Sequence, residues 1–154
     1  MKTVHPSLVL PDPDATLRLA QSLVPKLGAG DVLLLEGEIG AGKTHFARGL
    51  IQALVDEDVP SPTFTLVQTY DAPDFEIWHA DLYRLSHPDE ALELGLTEAF
   101  DTALCLVEWP EKLGSDRPKK ALTLRFSPVG DGREVQFLSD NSDWVARLKE
   151  HTDV

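Results

Sequence analysis

A short glycine-rich segment carries the residue types that bind phosphate. It fits the pattern G-x-x-x-x-G-K-[ST], whose glycines allow backbone N–H groups to turn toward an anion. Lys43 supplies a compact positive charge for the β- and γ-phosphates, and the Thr44 hydroxyl is a ligand for Mg²⁺. The segment therefore predicts binding of a nucleoside triphosphate with magnesium. Its residues are Gly37, Glu38, Ile39, Gly40, Ala41, Gly42, Lys43 and Thr44.

The flanking sequence supplies the elements that position this loop. An apolar run at 32–35 predicts a strand before it, and the spacing of Phe46, Leu50 and Leu54 predicts an amphipathic helix over 44–55. The N-terminus of that helix adds partial positive charge beside the phosphates. Strand, loop and helix in this order favour a phosphate site over a glycine turn with a surface lysine.

Two carboxylates are candidates to complete the magnesium site. Glu108 ends the apolar run 103–107, which is typical of a central strand, and such strands place ligands at their carboxyl ends. We expect Glu108 to hold Mg²⁺, directly or through water, or to orient the attacking water. Asp81 is the second candidate, as a water-orienting group or as part of the metal's surroundings, although a turn aspartate fits equally well. His79, taken alone, is expected to be structural.

The polar segment 61–64 is a candidate nucleotide switch. A loop hydroxyl that follows the γ-phosphate and Mg²⁺ orders its segment with ATP and releases it with ADP. Thr63 is the residue placed for that part and is a candidate nucleotide contact. A capped start to the following strand explains the segment equally well.

The rest of the chain predicts an α/β fold. Its early units alternate strand and helix, and hairpins follow in the middle and at the end. We expect a three-layer P-loop NTPase-like domain with a mixed parallel and antiparallel sheet, formed by residues 1–154 as one domain. The predicted elements are a strand over 7–10, a helix capped by Asp12 or Asp14 that ends at Gly28, a strand from Phe64 to a turn at 71–74, a returning strand over 75–79, a helix over 89–96 with Ser86 as a cap, strands over 121–126 and 133–138, and a closing helix over 142–149.

Composition narrows the cellular setting and the partners. The formal net charge is −12, so most of the surface should repel nucleic-acid phosphates, and direct binding of nucleic acid is not expected. The basic cluster at Arg117, Lys119 and Lys120 is best explained as a solvated loop.

Cys105 is the single cysteine, which excludes an internal disulfide. Without a signal-peptide core or an apolar run of membrane-spanning length, we expect a cytoplasmic protein without membrane contact.

Four segments, in this order and spacing, resemble one family of small bacterial P-loop ATPases, TsaE (also called YjeE). The resemblance covers roughly residues 8–138. The phosphate loop is generic, but its combination with the other three segments is specific. The segments are 37–44, Ser61-Pro62-Thr63-Phe64-Thr65-Leu66, His79-Ala80-Asp81-Leu82-Tyr83-Arg84 and Val107-Glu108-Trp109-Pro110-Glu111.

The resemblance implies an ATPase that is required for threonylcarbamoyladenosine modification of tRNA. It implies binding to the TsaB–TsaD pair, with ATP hydrolysis, weak in the isolated protein, resetting that complex between turnovers. Lys43 and Thr44 keep their phosphate and Mg²⁺ roles, while Asp81 and Glu108 become the metal or catalytic carboxylates. Trp109 lies beside the nucleotide-site carboxylate.

His45 is the visible departure from the family, which often has a second threonine at this position. The histidine begins a helix, so its ring is within reach of the phosphates. A tolerated helix residue is the simpler interpretation.

Two other functions fit the phosphate loop. A small-molecule kinase would need an acceptor pocket, often under an arginine-rich lid, but the arginines here are scattered. A nucleotide-gated binding module with little turnover would gain no rate from Glu108. No N-K-x-D motif for guanine is present, which favours ATP over GTP.

Overall fold

The apolar runs of the chain pair into one mixed sheet. It is seen in a computed structural model that describes residues 1–38, 40–62 and 65–149. The sheet strands in these ranges are β1 (Lys2–Leu10), β2 (Val32–Glu36), β3 (Val67–Asp71), β4 (Glu76–Asp81), β5 (Leu104–Glu108), β6 (Leu122–Val129) and β7 (Gly132–Ser139).

The order of the strands places the candidate residues at one edge. Within the described ranges the sheet runs β1-β7-β6-β2-β5-β4-β3, with β6, β2, β5 and β4 parallel and the outer pairs antiparallel. Glu108 lies opposite Leu35 of β2 on one side and opposite Asp81 of β4 on the other. Because parallel strands end at the same edge, both carboxylates arrive beside the loop that leaves β2.

Helices cover the sheet on both faces, which gives the three layers expected from the sequence. The helical segments of the described ranges are α1 (Pro13–Leu23), α2 (Lys43–Gln52), α3 (Asp89–Glu93), α4 (Leu96–Ala99), α5 (Asp143–Lys149) and 3-10 helices at Val24–Lys26 and Pro110–Asp116. One face of the sheet packs against α1, α2 and α5, and the other packs against α3, α4 and the second 3-10 helix. The fold-class prediction is therefore confirmed.

Three predicted helices are longer than the observed ones. Helix α1 stops at Leu23 and continues only as a 3-10 turn, because Pro25 lacks an amide hydrogen and its ring opposes a further α-turn. Helix α2 ends at Gln52 rather than at residue 55. The helix predicted over 89–96 divides at Gly95, whose φ of 81° is left-handed. Asp12 caps α1 as expected, since its side chain accepts from the Ala15 N–H at 2.9 Å.

Three further details differ from the sequence prediction. The first strand is longer, because it pairs along β7 with register shifts around Pro6, a residue that an edge strand tolerates. The predicted start of the third strand, Phe64, lies outside the described residues. The observed strand β3 begins at Val67, and Leu66 before it has a left-handed φ of 68°. The prediction of Ser86 as a helix cap is wrong. Instead, the Glu90 carboxylate accepts from the Ser86 N–H at 3.2 Å.

A charged cluster fixes the end of β2 just before the phosphate loop. The Glu36 carboxylate accepts from Arg117 and, at 2.8 Å, from Arg125 Nε. Burial by itself raises the pKa of Glu36, but the hydrogen bonds and charges of the two arginines outweigh it and hold that pKa below its usual value.

This cluster predicts a stability that depends on pH. A carboxyl whose pKa is lower in the folded chain stabilises it above the unfolded pKa of about 4.3, and this stability is lost as the pH falls through the folded value. We expect Glu36→Gln to lower the free energy of unfolding by about 1–3 kcal/mol at pH 7, and by much less near pH 3. Urea unfolding at both pH values measures the difference, with the exposed Glu93→Gln as the control. Equal losses at both pH values would contradict this ion-pair origin.

Among the helices of the described ranges, none combines the length and apolar character that a membrane span requires.

Candidate nucleotide site

A cavity of 740 Å³ opens at the carboxyl ends of β2, β4 and β5. Its volume is within the range of cofactor-sized pockets. The phosphate loop forms its floor, Asp81 and Glu108 line one wall, and the start of α1 and the turn between β6 and β7 line another. The sheet edge, the loop and a helix N-terminus thus meet at one concave site, as the sequence predicted.

The glycines of the loop have conformations that other residues rarely adopt. Gly37, Gly40 and Gly42 have φ values of 143°, 83° and 102°. A Cβ on Gly37 would also lie 2.8 Å from the Phe126 carbonyl oxygen. The Ala41 N–H donates to the Glu38 carbonyl at 3.0 Å and closes a turn within the loop. The loop therefore has the tight curvature that a phosphate cradle needs.

Lys43 lies at the mouth of this loop, held by two electron-rich groups. Its Nζ donates to the Gly37 carbonyl oxygen at 2.5 Å and lies 3.5 Å from the centroid of the Trp109 ring. Burial lowers the pKa of Lys43, whereas the carboxylates of Glu108, Glu111 and Asp81 act in the opposite direction. The ammonium is thus placed where an anionic oxygen can replace the loop carbonyl.

Glu108 connects the loop to the neighbouring strand through both carboxylate oxygens. The Thr44 hydroxyl donates to Oε1 at 2.7 Å, and the Nε2 atom of His79 lies 2.7 Å from Oε2. The glutamate is 2% exposed and the histidine 0%. These three residues come from α2, β5 and β4, so the site depends on the sheet and the following helix together.

Asp81 is buried beside Glu108 but has different contacts. Its Oδ1 accepts from the Tyr83 N–H at 3.1 Å, which orients the carboxylate at the end of β4. Both candidate carboxylates line the cavity. The structure brings together the groups predicted as catalytic, and their division of roles between metal and water stays a prediction.

Trp109 follows Glu108 in a conformation that is uncommon for a non-glycine residue. Its φ of 59° and ψ of 52° are left-handed, and this turn carries the indole over the ammonium of Lys43. The ring also packs on Tyr83, with centroids 4.9 Å apart. The left-handed turn after Glu108 therefore places the Trp109 ring at the mouth of the cavity.

A family model described as threonylcarbamoyl adenosine biosynthesis protein TsaE matches residues 10–135, which include the loop and both carboxylates. This chain belongs to the TsaE family. The resemblance seen in the four sequence segments is thereby confirmed.

Curated TsaE proteins of several bacteria are similar in sequence to most of this chain. The TsaE protein of Rickettsia bellii is 35% identical over 137 residues, covering 88% of this chain and 95% of the relative. The TsaE protein of Bacillus subtilis is 37% identical over 129 residues, covering 82% and 80%. That of Rickettsia felis is 45% identical over 106 residues, but the match spans only 62% of its length. All three carry the name tRNA threonylcarbamoyladenosine biosynthesis protein.

A solved structure extends this likeness to the fold. The crystal structure of Bacillus subtilis YdiB superposes with a TM-score of 0.81 at 29% sequence identity. The superposition covers 96% of this chain and 93% of YdiB.

Sequence reasoning missed Arg133, which supports the loop of this TsaE chain from outside. Its Nη2 donates to the Gly40 carbonyl at 2.7 Å and its Nε donates to the Ala41 carbonyl at 3.1 Å. The arginine belongs to β7, far along the chain, and no local signal connects it with the loop. His79 had a usable signal, because strand alternation puts it on the same face as Asp81.

Other predicted residues have mixed outcomes. His45 Nε2 lies 3.2 Å from the Pro13 carbonyl oxygen, so its ring contacts the start of α1. Ile39 and Thr63 lie outside the described residues. In the basic cluster, Lys120 donates to the Phe100 carbonyl at 2.6 Å, and Arg117 pairs with a glutamate as described above. The prediction of a solvated loop is therefore wrong for Arg117 and Lys120, which are partly buried and bonded within the chain, and it holds only for the exposed Lys119.

The oxygen donors fit a magnesium ion that is shared with phosphate. Within the described ranges, no group of three or more histidine, cysteine, aspartate and glutamate side chains forms a metal cage. Thr44 and Glu108 instead offer two hard oxygen ligands 2.7 Å apart, beside the lysine. Mg²⁺ suits such a site, because it commonly keeps several waters and takes phosphate oxygens as ligands.

Proposed function

We propose that this TsaE-family chain is a Mg²⁺-dependent ATPase that supports threonylcarbamoyladenosine modification of tRNA by acting on the TsaB–TsaD complex. The observation that carries the proposal is the contact between the Thr44 hydroxyl and Glu108, next to Lys43 in the phosphate loop. A nucleotide site needs this set of a cation, a hydroxyl and a carboxylate at one edge of the sheet.

Each group has a distinct part in binding and hydrolysis. The main-chain amides of the loop and the Lys43 ammonium bind the phosphates, and the ammonium exchanges the Gly37 carbonyl for a phosphate oxygen. Thr44 and Glu108 are the residues that would hold Mg²⁺, which neutralises the charge that develops on the phosphates. Glu108 or Asp81 orients the attacking water by accepting one of its hydrogen bonds.

The surface near the cavity supports action through a protein partner. Tyr83, 47% exposed, packs on Trp109 at the mouth of the cavity, where a docking protein can reach the site. The net charge of −12 opposes close approach of tRNA. We therefore propose that TsaB–TsaD contacts tRNA while this chain supplies nucleotide-driven reset.

Partner activation is the direct test of this proposal. We expect the chain alone with Mg²⁺ to hydrolyse ATP slowly and GTP more slowly, and TsaB–TsaD to raise ATP turnover by about 10-fold or more, since completing a site in trans can have large effects. Phosphate release is measured with each nucleotide, with and without the complex, and serum albumin serves as the protein control. Turnover that ignores TsaB–TsaD would contradict the partner assignment, and phosphate found on an added metabolite would favour a kinase.

A further inference from the structure

The contact between His79 and Glu108 has no part in the function proposed so far. We propose that His79 is a positioning residue that holds the Glu108 carboxylate in the orientation it needs for hydrolysis. The inference rests on the proposed ATPase function, because it assigns a role within that same site.

The register of the sheet explains how the histidine reaches the carboxylate. In the parallel pair of β4 and β5, His79 lies opposite Leu106, and the next pair on the same face is Asp81 with Glu108. The imidazole therefore lies two residues before Asp81 on the same face of the sheet, and its Nε2 atom is 2.7 Å from Glu108 Oε2. Both side chains are buried, so water does not compete for this contact.

The surroundings of the imidazole select one tautomer. Within the described residues, Nδ1 of His79 is buried without a hydrogen-bond partner. A proton on Nδ1 would leave a buried N–H unsatisfied and would set the Nε2 lone pair against a carboxylate oxygen. The arrangement that avoids both costs has the proton on Nε2, donated to Glu108.

Because of this bond, the two carboxylate oxygens of Glu108 have different partners. In the structure, Oε1 accepts from Thr44 while Oε2 is held by His79. When the Thr44 hydroxyl oxygen binds the proposed Mg²⁺, Oε1 would be available either to hold the same ion or to accept a hydrogen bond from water, while His79 keeps Oε2 fixed. Loss of the histidine donor should therefore slow turnover more than it weakens nucleotide binding, because the loop and Lys43 are untouched.

Two amide substitutions separate the positioning role of His79 from its contribution to packing. The amide nitrogen of glutamine in His79→Gln can take the place of Nε2, whereas that of asparagine in His79→Asn takes the place of Nδ1 and cannot reach Oε2. With TsaB–TsaD and saturating Mg²⁺–ATP, we expect His79→Gln to keep kcat within about 3-fold and His79→Asn to lower it by about 10-fold or more. ADP affinity by calorimetry should stay within about 3-fold in both. His5→Asn is the matched control, since His5 is also buried but lies on β1 against Phe137.

Several outcomes would overturn this role. Equal kcat for the glutamine and asparagine variants would do so, and so would a loss confined to ADP affinity. A second measurement needs no variant, since the ¹⁵N NMR shifts of the His79 ring in the wild-type chain report which ring nitrogens carry a proton. An Nε2 atom without a proton would refute the proposal even if His79→Asn fails to fold. A wild-type chain that hydrolyses no ATP even with TsaB–TsaD would instead refute the ATPase function itself.

Discussion

Lys43→Ala should abolish tight ATP binding, with a loss in affinity of about 100-fold or more. The reason is local, because the lysine is the cation at the mouth of the phosphate loop, and charge-assisted hydrogen bonds to phosphate are among the strongest that proteins make. In the structure the ammonium contacts the Gly37 carbonyl oxygen and the Trp109 ring. Neither group carries a positive charge, so neither can bind phosphate in place of the ammonium once it is removed. Calorimetric titration with Mg²⁺–ATP measures the change.

The matched control separates the phosphate contact from net charge. Lys119→Ala makes the same charge change at an exposed position outside the cavity, so ATP affinity should stay within about 2-fold. Thermal unfolding of both variants checks that each remains folded. Unchanged ATP affinity in Lys43→Ala would contradict the assignment of this loop as the phosphate site.

The parts of the site that lie close together in the chain were predictable from local pattern. Strand β2, the glycine loop and the start of α2 are consecutive, and each follows from spacing, glycine content and apolar periodicity. Glu108 was also predictable, because a continuous apolar run that ends in a carboxylate indicates a central strand whose end faces a ligand. The family resemblance then linked Asp81 to the same edge.

Contacts between distant segments were not predictable in the same way. The bond from Thr44 to Glu108 joins residues 64 positions apart, and that from Arg133 to Ala41 joins residues 92 apart. These contacts depend on which strands become neighbours and in what register, and a single sequence does not show this. The same limit applies to Trp109, whose left-handed backbone is imposed by the packing around it.

Glycine and proline had local effects that the periodic pattern concealed. The apolar spacing of the first helix continues past Leu23, yet Pro25 ends the α-helical hydrogen bonding there. Gly95 divides α3 from α4 although apolar residues continue on both sides. Neither change affects the site, because its residues lie at strand ends and in the loop.

Glu108→Gln should slow ATP hydrolysis by about 100-fold or more while largely sparing nucleotide binding, the scale expected for a positioned catalytic group. Glutamine fits the site, since its carbonyl can accept from His79 and its amide can donate to the Thr44 oxygen. The shape and the two contacts survive, but the negative charge and the free acceptor for water are lost. The phosphate contacts of Lys43 and the loop do not involve this side chain.

Hydrolysis and binding must be measured on the same preparation for this separation to hold. Glu98→Gln is the matched control, because it removes an equal charge from an exposed position on α4 that does not line the cavity. Its turnover should stay within about 2-fold of the wild type, since solvent screens an exposed carboxylate. Equal turnover in Glu108→Gln and wild type, with TsaB–TsaD present, would remove Glu108 from the mechanism and leave Asp81 to orient the water. A loss of ADP affinity as large as the loss of turnover would instead make Glu108 a binding residue, because a group needed only for hydrolysis leaves ground-state affinity unchanged.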